Sequence, residues 1–223
     1  MTRVRVKICG IRRPADAVAA AEAGADAIGL VFYPESSRAL SVAQAQDVDR
    51  VLPPFVTRVA LFLDAAARDV EQVIDAIRPD VLQFHGRETP AYCRAFGLPY
   101  IKAVPMGDDD IDLAQWAADY HDARALLLDS HIAGQAGGGG QRFDWHNDSA
   151  MPGHPIVIAG GLDASNVAEA IARFSPYAVD VSSGVESAPG VKDMARMRAF
   201  VDAVLASGPS DPDDRRVTAR NTG

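Results

Sequence analysis

Short apolar, β-branched runs recur along the chain, each followed by an alanine-rich stretch with helical spacing, the alternation of repeated β-α units around a parallel sheet. Eight such runs are present, at residues 4–9, 27–32, 58–63, 81–85, 100–104, 125–129, 155–159 and 178–182. Their starts lie about 25 residues apart, the length of one strand, one helix and two short loops. Eight units in a chain of 223 residues predict a single α/β domain, a compact (β/α)8 TIM barrel over residues 1–206, with no space for a second domain. Pro14 suits the first turn of the first helix and Gly24 its left-handed stop. Met194, Met197, Val201 and Val204 step by three or four and predict one buried stripe on the last helix. Residues 207–223 show no periodicity, contain Gly, Pro and mixed charges, and are expected to form a mobile tail without a catalytic role.

Composition narrows the function. With 48% hydrophobic and 23% charged residues, and apolar runs interrupted every few residues, the chain is neither disordered nor membrane-spanning. The formal charge of −8, from 22 basic and 30 acidic residues, argues against nucleic-acid binding through a general positive field. An anionic ligand would need positive charge supplied locally. No signal-peptide pattern opens the chain, and the 2 cysteines, Cys9 and Cys93, lack CxxC spacing, so a reducing cytoplasm is expected. An open doubly wound sheet would carry a Gly-rich nucleotide turn after its first strand. The residues there read CGIRRP, and no P-loop pattern occurs anywhere, which demotes dinucleotide and P-loop chemistry.

In a barrel the reacting groups come from the C-terminal strand ends and their loops. Alternation along the first strand puts Arg5, Lys7 and Cys9 on the lumen side and Val4, Val6 and Ile8 towards the helices. Cys9 then points into the mouth, although most free cysteines are simply small buried hydrophobes. Asp129 ends the sixth run after three leucines, where partial desolvation raises a carboxyl pKa towards general-acid use; a loop cap is the alternative. Gly160 and Gly161 precede a helix entered near residues 163–166, and Ser182, Ser183 and Gly184 form a second small-residue turn one strand later. Amides left open at such turns form a phosphate site in this architecture, against a plain reading as tight turns. Arg38, after the second run, is placed to fork onto a carboxylate, or to be solvated. His85 ends the fourth run and either lines the site or faces water. The Gly-rich segment AGGGGQRFDW after the sixth run reads as a mobile cover or a linker. His85, His121, His131, His146 and His154 show neither HExxH spacing nor a His/Cys cluster, so no metal is expected.

The motifs KICGI, SSRAL, LQFHG, LLLDS, GGGGQRFDW, IAGGLDASNV and DVSSGVESAPGVKD together resemble the phosphoribosylanthranilate isomerase family, barrel enzymes of tryptophan biosynthesis. The resemblance runs from about residue 3 to residue 200. Phe84, Gly139 and Ala164 stand where the family usually has Leu, Thr or Ser, and Pro; none removes a group needed for chemistry. The resemblance implies an Amadori rearrangement of N-(5'-phosphoribosyl)anthranilate, an aldose-to-ketose isomerisation, with Cys9 as general base and Asp129 as general acid. It also implies Arg38 on the anthranilate carboxylate, and the turns at Gly160–Gly161 and Ser182–Gly184 on the phosphate. No cofactor is implied, because the substrate nitrogen is the electron sink. Alternation further suggests that Lys7, on the face of Cys9 and near the substrate, lowers the thiol pKa. Rival expectations are the histidine-pathway isomerase, which pairs two aspartates, indole-glycerol-phosphate synthase, which relies on lysines and a glutamate, and a non-catalytic phosphometabolite binder. Monomer and homodimer both remain open.

Overall fold

Strand alternation divides each apolar run into a helix-facing side and a lumen-facing side; burial of both makes the runs read as nearly continuous hydrophobe. A computed structural model describes residues 3–108, 111–130 and 153–207. Its strands β1 (Arg5–Cys9), β2 (Ala27–Val31), β3 (Thr57–Phe62), β4 (Val81–Phe84), β5 (Tyr100–Pro105), β6 (Ala125–Asp129), β7 (Ile156–Ile158) and β8 (Ala178–Val181) close a parallel barrel in chain order. The closing pair joins the first strand to the last, with Lys7 opposite Asp180. The helices among the described residues are α1 (Pro14–Ala23), α2 (Val42–Asp49), α3 (Ala67–Ile77), α4 (Pro90–Arg94), α5 (Leu113–Asp119), α6 (Val167–Phe174) and α7 (Met194–Ala206). A short hairpin, β9 (Glu186–Ala188) and β10 (Val191–Lys192), follows β8. The Gly-rich segment after Asp129 and the tail from residue 208 lie outside the described residues. No helix among them is long and apolar enough to cross a membrane.

The predicted runs match the strands in number and order. Phe32, Leu63, His85, Ala159 and Ser182 fall one residue past their strands, and Val4 and Pro155 one residue before theirs; at the mouth the chain turns there into the loops. Pro14 opens α1, and Gly24 closes it at φ 99°. The stripe on α7 differs from expectation. Met197, Phe200, Val201 and Val204 are buried, whereas Met194 is 61% exposed; as the first helical residue it follows the Asp193 cap, and Phe200 completes the buried row instead.

The core has two parts. Helix-facing residues such as Ile8, Leu30, Phe62, Phe84, Leu126 and Ile158 form one large cluster with the inner faces of the helices. Ala103, Ala125, Leu127, Val157, Ala159 and Ala178 fill the lumen. One cation is buried on the helix side. Lys102 of β5 is fully buried, and its Nζ donates to the carbonyls of Phe84 (3.3 Å) and Gly86 (2.5 Å) and to Glu88 Oε2 (3.2 Å). Glu88 also accepts from the amides of Asp64 (2.8 Å) and Gly86 (2.9 Å). This pair thus ties β5 to the loops after β3 and β4, including the loop that begins at His85. Removing one member of a buried, hydrogen-bonded pair costs about 3–5 kcal/mol. Lys102→Ala is expected to lose that much in urea unfolding followed by circular dichroism, and the double variant Lys102→Met/Glu88→Gln distinctly less; equal losses would show that packing, not charge, dominates.

Candidate active site

The C-terminal strand ends surround a bowl, open at its mouth, lined among others by Cys9, Arg38, His85, Asp129, Gly160, Gly161, Asp180, Ser182 and Ser183. Side chains on the inward parity at or next to the ends of β1, β4, β6 and β8 therefore meet in one cavity.

Cys9 is buried at the end of β1. Gly29 of β2 lies beside it, and a Cβ there would fall 2.6 Å from the Cys9 Sγ and 3.1 Å from the Lys7 Nζ. The absence of a side chain at position 29 is what lets the sulfur and the ammonium share this space. Lys7 does not line the bowl. It lies beneath Cys9, with its Nζ 2.8 Å from Asp180 Oδ2, and both side chains are buried. Burial opposes the Lys7 charge, but Asp180 and then Cys9 outweigh it and hold the ammonium above its ordinary pKa. For the Cys9 thiol, burial is the largest influence and pushes the pKa up; Lys7 pulls it down, Asp180 adds to the rise and Lys192 pulls it down. The balance stays above the ordinary value. The expectation that Lys7 lowers the thiol pKa holds only as a partial offset, since desolvation is stronger.

Asp129 closes β6, buried, with Oδ2 3.3 Å from His85 Nε2. The Gln83 side-chain nitrogen lies 3.2 Å from His85 Nδ1. An amide nitrogen only donates, so Nδ1 accepts, and a neutral ring carries its hydrogen on Nε2, towards Asp129. His85 is buried in the site rather than facing water.

The two small-residue turns adjoin one another. Gly160 and Gly161 have φ of 85° and 65°, a left-handed backbone that only glycine adopts readily. Gly184 is set back from the bowl and packs against the Leu162 carbonyl. The amides expected to stay open at the entry to α6 are in part taken: Asp163 N donates to Asn166 Oδ1 (2.8 Å) and Ser165 N to Asp163 Oδ1 (2.7 Å). Short Asx-type side chains outcompete solvent there. Of the two turns, Gly160, Gly161, Leu162, Ser182 and Ser183 line the bowl.

Arg38 is partly buried, its side chain 12% exposed, and it lines the bowl. Its Nε and Nη2 fork onto Glu186 Oε1 (2.8 Å) and Oε2 (2.9 Å), an intramolecular carboxylate that the sequence reading did not anticipate. Lys192 Nζ donates to the same Glu186 Oε1 at 2.8 Å. Burial alone would raise the Glu186 pKa, but the bonds from Arg38 and Lys192 outweigh it and hold the carboxyl below its ordinary value. The sequence singles out neither Asp180 and Gln83, which line the bowl, nor Glu186 and Lys192, which form the ion cluster with Arg38. For Asp180 a signal existed: an acidic residue on the lumen parity of the last strand must face the first strand's Lys7 once a barrel closes. Cys93 is a buried packing residue whose thiol is pushed up to about 12, chiefly by burial. Among the described residues no group of three or more His, Cys, Asp or Glu side chains is placed to hold a metal ion; His131 and His146 lie outside them.

Comparison with known proteins agrees with this geometry. The family model for N-(5'-phosphoribosyl)anthranilate (PRA) isomerase matches residues 6–203. The chain is 52% identical over 208 residues to the N-(5'-phosphoribosyl)anthranilate isomerase of Pseudomonas paraeruginosa, covering 93% of this chain and 98% of the relative. Its counterpart from Leptothrix cholodnii is 51% identical over 217 residues, covering 97% and 96%. The fold superposes on phosphoribosyl anthranilate isomerase from Thermotoga maritima with a TM-score of 0.79 and 36% identity, over 91% of this chain and 99% of that one. A phosphoribosyl anthranilate isomerase in complex with reduced 1-(o-carboxyphenylamino)-1-deoxyribulose 5-phosphate gives 0.74 and 34%, over 91% and 99%. The chain belongs to the N-(5'-phosphoribosyl)anthranilate isomerase family and is an isomerase.

Proposed function

We propose that the enzyme converts N-(5'-phosphoribosyl)anthranilate into 1-(2-carboxyphenylamino)-1-deoxyribulose 5-phosphate, in tryptophan biosynthesis, with Asp129 as general acid and Cys9 as general base. The observation that carries this reading is the meeting of Cys9 from β1 and Asp129 from β6 in one bowl whose rim holds the two small-residue turns. The ligand of a relative 34% identical to this chain, reduced 1-(o-carboxyphenylamino)-1-deoxyribulose 5-phosphate, is of the same chemical class as that product.

Asp129 gives its proton to the furanose ring oxygen, the C1'–O bond breaks, and the anthranilate nitrogen lone pair forms the C1'=N bond of an iminium. Its positive charge acidifies the C2' hydrogen. Cys9, as thiolate, removes that proton, and the C–H electrons form the C1'=C2' bond of an enolamine while the nitrogen becomes neutral. Tautomerisation then places a proton on C1' and leaves the ketone at C2'. No cofactor enters. The turns at Gly160–Gly161 and Ser182–Ser183 bind the phosphate, and Arg38 meets the carboxylate of the aromatic ring. Residues 1–206 act as one catalytic barrel and 207–223 as a tail without a catalytic role. A cytoplasmic enzyme without nucleic-acid partners, as monomer or homodimer, fits this reading; the Thermotoga maritima relative is dimeric.

The direct test mixes purified protein with freshly made phosphoribosylanthranilate and follows the ketose product. Loss of a general acid or base costs about 10² to 10⁴ in rate. Cys9→Ala and Asp129→Asn should each lose at least about a hundredfold in kcat with KM little changed, and near-normal turnover by either would overturn its role. Arg38→Ala should act mainly on KM; unchanged KM and kcat/KM would remove it from the carboxylate contact. Because burial holds the Cys9 thiol above its ordinary value, its alkylation by iodoacetamide should keep rising above about pH 9. Lys7→Met removes a cation that stabilises the thiolate, so the profile should move to higher pH. An unmoved or lower profile would separate Lys7 from the thiol.

A further inference from the structure

Three charged side chains meet where the β9–β10 hairpin covers the loop after β2. Arg38, Glu186 and Lys192 have side-chain exposures of 12%, 4% and 0%. Glu186 accepts from both cations, and Lys192 also donates to the Ser182 carbonyl (3.0 Å) and hydroxyl (3.4 Å). Among these three side chains two positive charges face one negative charge, a net +1, while Arg196 and Arg12 bond the backbone carbonyls of Glu186 and Ser37 beside them. The neighbouring Lys7–Asp180 pair is neutral as a unit, and the Cys9 thiol rests in its neutral form. An uncompensated charge so little exposed is unfavourable unless something matches it. Glu186 occupies the Nε/Nη2 side of the Arg38 guanidinium, while Nη1 makes no bond among the described residues, and Arg38 lines the bowl. A guanidinium can take a second carboxylate on its remaining edge.

We propose that Lys192 and Glu186 set the charge and the aim of Arg38: Glu186 fixes the guanidinium, and Lys192 cancels Glu186 so that the cluster keeps one positive charge for the single carboxylate of the substrate's aromatic ring. This rests on Arg38 meeting that carboxylate. Lys192 is then a specificity-determining positioning residue that touches no substrate. Without it, Glu186 alone neutralises Arg38 and repels the incoming carboxylate.

The test compares two probes by isothermal titration: 1-(2-carboxyphenylamino)-1-deoxyribulose 5-phosphate and its counterpart without the carboxylate, 1-phenylamino-1-deoxyribulose 5-phosphate. The ratio of their dissociation constants reads the worth of the carboxylate alone. At an effective dielectric near 20, one charge about 8 Å away changes affinity roughly thirtyfold. Lys192→Met should cut the ratio by at least about tenfold, with the carboxylate-free probe little affected. Glu186→Gln/Lys192→Met, which returns the cluster to +1, should recover most of it. Should Lys192→Met fail to fold in a thermal melt, Lys192→Gln removes the same charge and still donates to Ser182. An unchanged ratio, a double variant no better than the single, or equal weakening of both probes would overturn the proposal, the last by assigning the charge to the phosphate or to packing. Arg38→Ala separates the two levels. If it leaves the ratio unchanged, the carboxylate contact itself fails; if it abolishes the ratio while Lys192→Met does not, only the charge cancellation fails.

Discussion

Barrel closure brings Lys7 of β1 opposite Asp180 of β8, 173 positions apart in the chain and 2.8 Å apart in space. A sheet closed on itself has no edge, so the first and last strands must pair, and a cation on the inner face of one is tolerated only if the other supplies its partner. The Lys7 ammonium of that pair lies beside the Cys9 sulfur, in the space that Gly29 leaves open. The electrostatic setting of the thiol is therefore a consequence of closure. An open sheet of the same strands would separate Lys7 from Asp180 and leave each buried charge unmatched.

The periodic parts of this arrangement were legible in the sequence. Apolar runs gave the order and number of the strands, Ala125–Asp129 to the residue, and inward parity at strand ends singled out Cys9 and Asp129. Local signals also located both ends of α1. Where the reading fell short, the missing information was non-local. Glu186 becomes the partner of Arg38 across 148 positions, so nothing near SSRAL announces it. Lys102 sits among apolar residues of β5 on the helix side, and its role follows only from the Phe84 and Gly86 carbonyls that a neighbouring strand and loop bring to it. The turn before α6 misled for a different reason: Asp163 and Asn166 have side chains short enough to satisfy backbone amides nearby, which removes donors that small-residue spacing alone would offer to an anion.

The resting thiol bears on the order of events in the proposed reaction. A buried cysteine above its ordinary pKa holds little thiolate at neutral pH, and the C2' hydrogen becomes acidic only once the iminium has formed, so ring opening precedes deprotonation. Once Asp129 has delivered its proton, the substrate carries an iminium close to Cys9. A cation created at that moment stabilises the thiolate in the same way as Lys7 and Lys192. The step that acidifies the C2' hydrogen thus also raises the fraction of Cys9 present as thiolate, the thiol's own proton passing to solvent through the open mouth of the bowl. A thiolate standing permanently in the bowl would instead invite oxidation and repel the anionic substrate.

The same economy governs Arg38. A flexible guanidinium would lose much side-chain entropy on binding a carboxylate. Here that ordering is complete beforehand: Glu186 holds two of its nitrogens, Lys192 and Arg196 hold Glu186 through its carboxylate and its carbonyl, and Arg12 reaches the Ser37 carbonyl at 3.2 Å. Contacts from β10, α7 and the loops after β1 and β2 thus converge on one side chain. The hairpin after β8 adds nothing to the barrel ladder, and its position is explained by this convergence, which in the proposed reaction fixes the direction from which the aromatic carboxylate enters.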